Sequence, residues 1–459
     1  MKIAVLNGSP KGPKSVTMQY VAYLQKKHPQ HEFVQLDVAH RVRKLEADEA
    51  AFSEVLEQVR AADGVLWAFP LYYMLVCSQY KRFIELVFER GAQEAFAGKH
   101  AAALATSIHF YDHTALDYIQ AIAEDLGMRF VGCHSAAMND LFSEPGRRQF
   151  ELFGEDLAAA ISEDRPAGRT FPPSARTEVE YRPGPRGEQV ATGGRRVLVL
   201  TDVTEPQSNL QRMIDRFVAS LDGAVEVLNL HEVDIKGGCT GCCKCALDNR
   251  CIFDGKDGYR DFLESKVKTA DVLVFAGTVV DRYLSSKWKQ YFDRSFYNGH
   301  TPTTPGGQVG FIISGPMSQL STTRQILQAY AEFQGCHLVD IVTDESGDGG
   351  QVDALLSGMA GRLMRYAQNG YIPPSTFLRV GGMKLFRDEI WGPMRVIFQA
   401  DYAYYKRHGL FDFPQGNWKT RLMNAVLVPL TRIPAVRKRF RDQCPDAMLG
   451  GYPKLLEKV

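Results

Sequence analysis

One order of elements is written twice in this chain. The apolar run IAVLN (3–7) opens a series that continues with EFVQLDV (32–38), GVLWAFP (64–70), HAAALATS (100–107) and RFVGCHSAAM (129–138). Amphipathic stretches separate these runs. In FSEVLEQVRAA (52–62), Phe52, Val55, Leu56 and Val59 recur at three- and four-residue steps, the period of a helix. The order then returns as RVLVLTD (196–202), AVEVLNL (224–230), DVLVFAG (271–277), GQVGFII (307–313) and HLVDIV (337–342). Apolar strands alternating with helices specify an α/β architecture, a parallel sheet covered on both faces. The expectation is two tandem, doubly wound, five-stranded parallel sheets, over 1–162 and 196–370. Between them, 163–195 holds five prolines and five glycines and reads as a linker.

Residues 371–459 do not repeat the unit. They read as a mainly helical extension, aromatic in DYAYYKRHGLFDFP (401–414), with Pro429 and Pro434 limiting WKTRLMNAVLVPLTRIPAVRKRFR (418–441) to two short helices at most. This extension carries 15 Lys and Arg against 7 Asp and Glu, on a chain of net charge +1, so a basic tail follows an acidic body. The overall balance argues against a nucleic-acid binder. No apolar run approaches the length of a membrane span. The basic run Arg437–Arg441 could meet anionic lipid or an acidic partner, although a solvated helix end is the plainer reading. The opening MKIAVLNGSP enters a strand at once and shows no secretory pattern. A cytoplasmic location with reduced cysteines is therefore expected, as is metal ligation or redox chemistry rather than a disulfide framework.

Two features carry chemistry. The first strand ends in NGSPKGPKSVT (7–17) and runs into a helix, whose free N–H groups suit an anion. Ser9, Ser15 and Thr17 can add hydroxyls and Lys11 or Lys14 a charge; an ordinary strand-to-helix turn would look much the same. Two further loops open on the same sheet edge: Pro70, Leu71, Tyr72 and Tyr73 after the third strand, and Thr106 and Ser107 after the fourth. The second feature is CTGCCKCALDNRC (239–251), which places Cys239, Cys242, Cys245 and Cys251 on a C-x2-C-x2-C-x5-C ladder. Three cysteines in direct series favour an iron–sulfur centre over zinc, and a metal-free loop is the other alternative.

The GSP loop followed by a Pro-x-Tyr loop and a lysine-bearing helix resembles the NAD(P)H-dependent FMN reductases, which are flavodoxin-like. The Cys ladder followed by Asp254 resembles the iron–sulfur flavoproteins of the same superfamily. The likeness covers 1–150 and 196–365. It implies that Ser9, Lys11, Ser15 and Thr17 hold the FMN phosphate, and that Pro70–Tyr73, Thr106 and Ser107 frame the flavin ring. It further implies that Cys239, Cys242, Cys245 and Cys251 hold a [4Fe–4S] cluster. The chain departs from the pattern at Val16, where the family has Asn. The second copy departs further: TDVTEPQSNL (201–210) puts Asp202 and Glu205 where a phosphate would be repelled, so its flavin site reads as degenerate.

Weaker signals remain. His109 and His113 could approach the flavin, although solvated loop histidines are the plainer reading; Cys77 and Cys133 read as packing residues, Trp288 and Tyr291 as core or interface, and Lys81 and Arg82 as capping or solvating a helix. The resulting expectation is a flavin-dependent oxidoreductase that passes electrons from NAD(P)H or another donor through FMN and a cluster to a small-molecule or protein acceptor. The alternatives are an FMN-only quinone or flavin reductase with structural cysteines, and a non-catalytic electron carrier. A homo-oligomer is compatible with either.

Overall fold

The computed structural model describes residues 1–175, 179–413 and 416–449. Part of the expected linker (176–178) and the side chains of the last two residues of the Arg437–Arg441 run lie outside that description. The chain divides into two compact units, Met1–Tyr402 and the residues from Ala403 onward.

The first unit holds two five-stranded parallel sheets. In the first, β1 (Lys2–Asn7), β2 (Glu32–Leu36), β3 (Gly64–Pro70), β4 (His100–Ser107) and β5 (Arg129–Ala137) are ordered β2-β1-β3-β4-β5. A two-residue strand β6 (Val190–Ala191) follows and pairs with β8 (Leu221–Asp222). The second large sheet contains β7 (Val197–Thr201), β9 (Val225–Asn229), β10 (Val272–Thr278), β11 (Gln308–Ser314) and β12 (His337–Thr343), ordered β12-β11-β10-β7-β9. Both sheets therefore place their first strand between the second and third, and all neighbours pair in parallel. The strands fall within two residues of the expected runs. Central strands are apolar on both faces because helices cover both: β3 is buried from Gly64 to Phe69 and β10 from Val272 to Gly277.

Helices α1 (Val16–Lys27), α2 (Val42–Ala47), α3 (Glu49–Arg60), α4 (Ser78–Glu89), α5 (Asp112–Asp125) and α6 (Glu144–Ser162) accompany the first sheet. The second has α7 (Asn209–Ala219), the single turn α8 (Tyr259–Phe262), α9 (Ser286–Arg294), α10 (Ser321–Phe333) and α11 (Gly349–Asn369). One core joins Ile3, Val5, Leu66 and Leu104 to Met18, Phe150 and Leu157 of α1 and α6. Its counterpart joins Val199, Val274 and Ile312 to Met213, Phe217 and Leu356 of α7 and α11. Beyond the second sheet follow α12 (Phe377–Trp391), α13 (Gln399–Arg407), α14 (Trp418–Leu430) and α15 (Pro434–Leu449). Pro429 lies inside the last turn of α14, and Pro434 opens α15 at a position where its missing N–H costs nothing.

The two lobes meet along α4 and α9, which carry one motif, S-x-x-K-x-x-x-(E/D): Ser78, Lys81 and Glu85 in α4, Ser286, Lys289 and Asp293 in α9. Contacts are exchanged as across a two-fold axis. The Ser78 N–H donates to Asp293 Oδ2 at 2.7 Å, and the Ser286 N–H donates to Glu85 Oε1 at 2.6 Å. Each helix start thus receives a carboxylate from the other helix. Within the helices Lys81 donates to Glu85 at 2.9 Å, and Lys289 pairs with Asp293. Lys81 also reaches Asp281 Oδ2 at 2.8 Å. The sequence expectation that Lys81 solvates its helix is thereby corrected: its side chain has no exposed surface, because two carboxylates offset the loss of water. Arg82, by contrast, reaches the surface and pairs with Glu46 and Glu89. Trp288 and Tyr291 are buried.

Replacing one member of this network leaves like charges buried together. Lys81→Met is expected to cost about 3–5 kcal/mol, read as a lower midpoint in chemical denaturation; a loss below about 1 kcal/mol would show that the network is not desolvated.

Candidate functional site

At the carboxyl edge of the first sheet lies a cavity of about 280 Å3. The ten residues named from the first, third and fourth loops, Ser9, Lys11, Ser15, Thr17, Pro70, Leu71, Tyr72, Tyr73, Thr106 and Ser107, all line it. His109 and His113 do not. Local chemistry explains the first loop. Asn7 donates from Nδ2 to Asp37 at 2.7 Å and accepts from the Ser9 N–H at 3.0 Å, which folds the chain back after β1. Gly8 is required, because a Cβ there would stand 2.5 Å from the Tyr80 ring. Ser15 caps α1 by accepting from the Met18 N–H at 3.2 Å. Thr17 Oγ1 lies 2.6 Å from Thr106 Oγ1, and Thr106 O accepts from the Leu71 N–H at 3.0 Å, so the three loops are tied together. Ser9, Ser15 and Thr17 are buried hydroxyls facing a space that also holds the exposed Lys11.

The third loop turns sharply. Tyr72 and Leu75 exchange backbone hydrogen bonds of 2.8 and 3.0 Å, and the two residues between them, Tyr73 and Met74, take φ of 45° and 65°. Two side chains larger than glycine in left-handed conformation store strain that neighbouring structure must hold. The second lobe supplies that structure: Gln334 donates to the Tyr73 hydroxyl at 2.8 Å, and the Tyr73 ring lies 5.5 Å from Phe296 and 6.1 Å from Tyr330.

Sequence reasoning missed the far wall of the cavity. It is built from Phe296, His300 and Phe333 of the second lobe, with Phe386 of α12 and Met394 and Phe398 beyond it. His300 Nδ1 sits 2.7 Å from Asp401 Oδ2, with both side chains buried. Gly299, at φ +64°, makes this approach possible, since a Cβ there would lie 2.0 Å from Asp401 Oδ1. The imidazole packs 4.1 Å from the Phe386 ring and 4.8 Å from Phe398. A carboxylate facing Nδ1 accepts its proton, so Asp401 holds the imidazole ring in place. These partners lie about a hundred residues apart and carry no local motif.

The cysteine run lies against the same cavity. A Cβ on Gly241 would stand 2.0 Å from the Tyr72 hydroxyl and 2.8 Å from Lys11 Cε. Gln79 donates to Cys239 O at 3.1 Å, and Cys245 Sγ approaches Phe296 O at 3.8 Å. Burial, then the neighbouring thiols of Cys251 and Cys242, push the Cys245 thiol up to about 12. Cys239 is raised further, first by burial and then, among other causes, by Asp293, Cys245 and Cys251. The thiols thus sense one another, yet among the described residues no three or more His, Cys, Asp or Glu side chains converge as a metal site. The ligand set expected of Cys239, Cys242, Cys245 and Cys251 is not assembled in this arrangement. Of the two isolated cysteines, Cys77 is buried and donates to Gly8 O at 3.2 Å, whereas Cys133 is exposed.

The matching edge of the second sheet has a polar cavity of about 770 Å3, lined by Asp202, Glu205, Ser208, Ser285 and Lys287 among others. Burial holds the Asp202 carboxyl at about 6, opposed by the hydrogen bond from Ser285. The turn after β10 contributes Asp281 to the lobe contact, where Tyr118 and Lys81 donate to it.

Residues 1–150 match the Flavodoxin_2 family model, a flavodoxin-like fold. Among solved structures, the chain is similar to FerB, a flavoenzyme NAD(P)H:(acceptor) oxidoreductase from Paracoccus denitrificans. The identity is 20% over 35% of this chain and 97% of that one, with a TM-score of 0.30. An NADH:FMN oxidoreductase (EMOB) in apo form is 19% identical over 35% and 89%, with a TM-score of 0.29. An FMN-dependent NADH-azoreductase from Bacillus anthracis, in complex with FMN, is 13% identical over 35% and 98%, with a TM-score of 0.27. No curated protein matches the chain.

A carboxyl whose folded pKa lies above its unfolded value stabilises the fold fully only below the unfolded value, and that contribution is lost as pH rises through about 6. Asp202→Asn should therefore gain stability relative to the parent between pH about 4 and about 7, by on the order of 2–3 kcal/mol. Denaturation midpoints of both proteins across that range check it; parallel curves would place Asp202 in water.

Proposed function

We propose that this protein is an FMN-dependent oxidoreductase that takes electrons from NAD(P)H or another reduced donor and delivers them to a separate acceptor. One observation carries the reading: three loops, distant in sequence and each expected to touch flavin, line a single cavity that combines buried hydroxyls and a lysine with aromatic walls. Those residues suit FMN. Ser9, Ser15 and Thr17 offer hydroxyls, and Lys11 and the start of α1 offer positive charge, to a phosphate. Pro70–Tyr73, Thr106 and Ser107 offer a flat apolar slot edged by backbone polar groups. FMN, when bound, supplies the one- and two-electron chemistry. Phe296, Phe333, Phe386 and Phe398 keep water from that slot, and Asp401 holds the His300 ring at its wall.

Lys11→Met is expected to weaken FMN binding about tenfold to a hundredfold, the worth of a charge-assisted hydrogen bond, while binding of riboflavin, which lacks the phosphate, stays unchanged. Quenching of flavin fluorescence on titration measures both. If the unsubstituted protein takes up no FMN even in large excess, the reading fails.

The finer reading adds a [4Fe–4S] cluster on Cys239, Cys242, Cys245 and Cys251. Support comes from the ladder spacing, from the mutual influence of the thiols, and from their place against Tyr72, Lys11 and Phe296. Because the ligands do not converge, no electron step is routed through a cluster. Iron and acid-labile sulfide measured after anaerobic reconstitution decide the point. Both should be retained, with absorbance that bleaches on dithionite; protein retaining flavin but no iron selects the FMN-only reductase.

A further inference from the structure

Helix α14 has no buried residue, although its sequence is predominantly apolar. Trp418, Leu422, Val426 and Leu430 recur every four residues, with Met423 and Leu427 beside them, so one broad apolar stripe runs the length of the helix. Trp418 is 65% exposed and Leu422 58%. A soluble fold rarely leaves such a stripe in water without a partner. Charge narrows the choice of partner: from Trp418 to Arg441 there are seven Lys and Arg and no Asp or Glu. Lys419 and Arg421 stand beside the stripe's first turn. Arg432, Arg437, Lys438 and Arg439 follow its end, all exposed.

Length then decides how a lipid surface would be met. At about 1.5 Å per residue, a helix of this size reaches about 20 Å, short of the roughly 30 Å hydrocarbon core. Among the described residues no helix is long and apolar enough to cross a membrane. A helix with an apolar stripe, a tryptophan at one end and cations at both ends lies in the bilayer interface, with its side chains in the acyl boundary and its cations among the headgroups. A second copy of the chain is disfavoured as the occupant, because it would bring two segments of the same net positive charge together.

We propose that residues 418–439 form an in-plane anchor that docks this protein on an anionic lipid surface, independently of whether the first cavity holds flavin. The test is flotation of the full-length chain with vesicles of phosphatidylcholine alone and with phosphatidylglycerol added. The chain should float with the anionic vesicles and not the neutral ones, and salt should release it. Changing Arg437, Lys438 and Arg439 to Gln should weaken binding about fivefold per residue, about a hundredfold together. Leu422→Glu with Val426→Glu should abolish it, with unchanged far-UV circular dichroism, since neither side chain is buried. Equal flotation with both vesicles, or with neither, overturns the proposal. So does sedimentation showing a concentration-dependent dimer that the Leu422→Glu change dissolves, which would assign the stripe to a second copy.

Discussion

Where α4 meets α9, two lysines and three carboxylates sit almost without solvent, and the amino-terminal turn of each helix takes a carboxylate from the other. Charges so placed gain little net stability over a well-packed apolar contact, but they tolerate one register only. A slide by one turn would take Glu85 from the Ser286 N–H and Asp293 from the Ser78 N–H. That register fixes where the second lobe's aromatic residues fall relative to the first lobe's loops, and hence the far wall of the cavity. The strained turn at Tyr73 and Met74 depends on it directly, through Gln334, Phe296 and Tyr330.

Joining the two lobes in one chain has a thermodynamic consequence. Two separate chains lose translational and rotational freedom when they pair; tethered lobes do so at high effective concentration. The two loop sets need not remain alike either. After β3 the loop lines a cavity. After β10 the corresponding loop sends Asp281 to Lys81 and Tyr118 and so serves the lobe contact instead. The loop after β7 carries Asp202, a buried acid that burial keeps partly protonated near pH 6. The lobes share a topology and differ in chemistry.

The cysteine run shows how position can be informative where ligand geometry is not. Gly237 and Gly238 line the polar cavity of the second sheet, and Gly241 abuts Tyr72 and Lys11 of the first cavity. The segment thus bridges the edges of both sheets. The Cys239 and Cys245 thiols are pushed up, first by burial and then by neighbouring thiols among other causes, so metal loading would have to displace their protons as well as draw side chains together.

The sequence alone determined which runs become strands in both sheets, because buried parallel strands must be short apolar runs and their covering helices must show a 3.6-residue period. It also determined which loops meet at the first cavity, since a doubly wound sheet gathers the carboxyl ends of its central strands. The repeated S-x-x-K-x-x-x-(E/D) motif went unread in the sequence. A lysine at that spacing looks like an ordinary i,i+4 surface pair, and only the packing of α9 removes Lys81 from water. Tertiary structure alone decided the pairing of His300 with Asp401 and the wall of Phe296, Phe333, Phe386 and Phe398. Each of these joins residues whose separation along the chain leaves no periodic trace. Local pattern specifies elements, whereas contact between elements is settled by which faces the folded lobes turn toward one another.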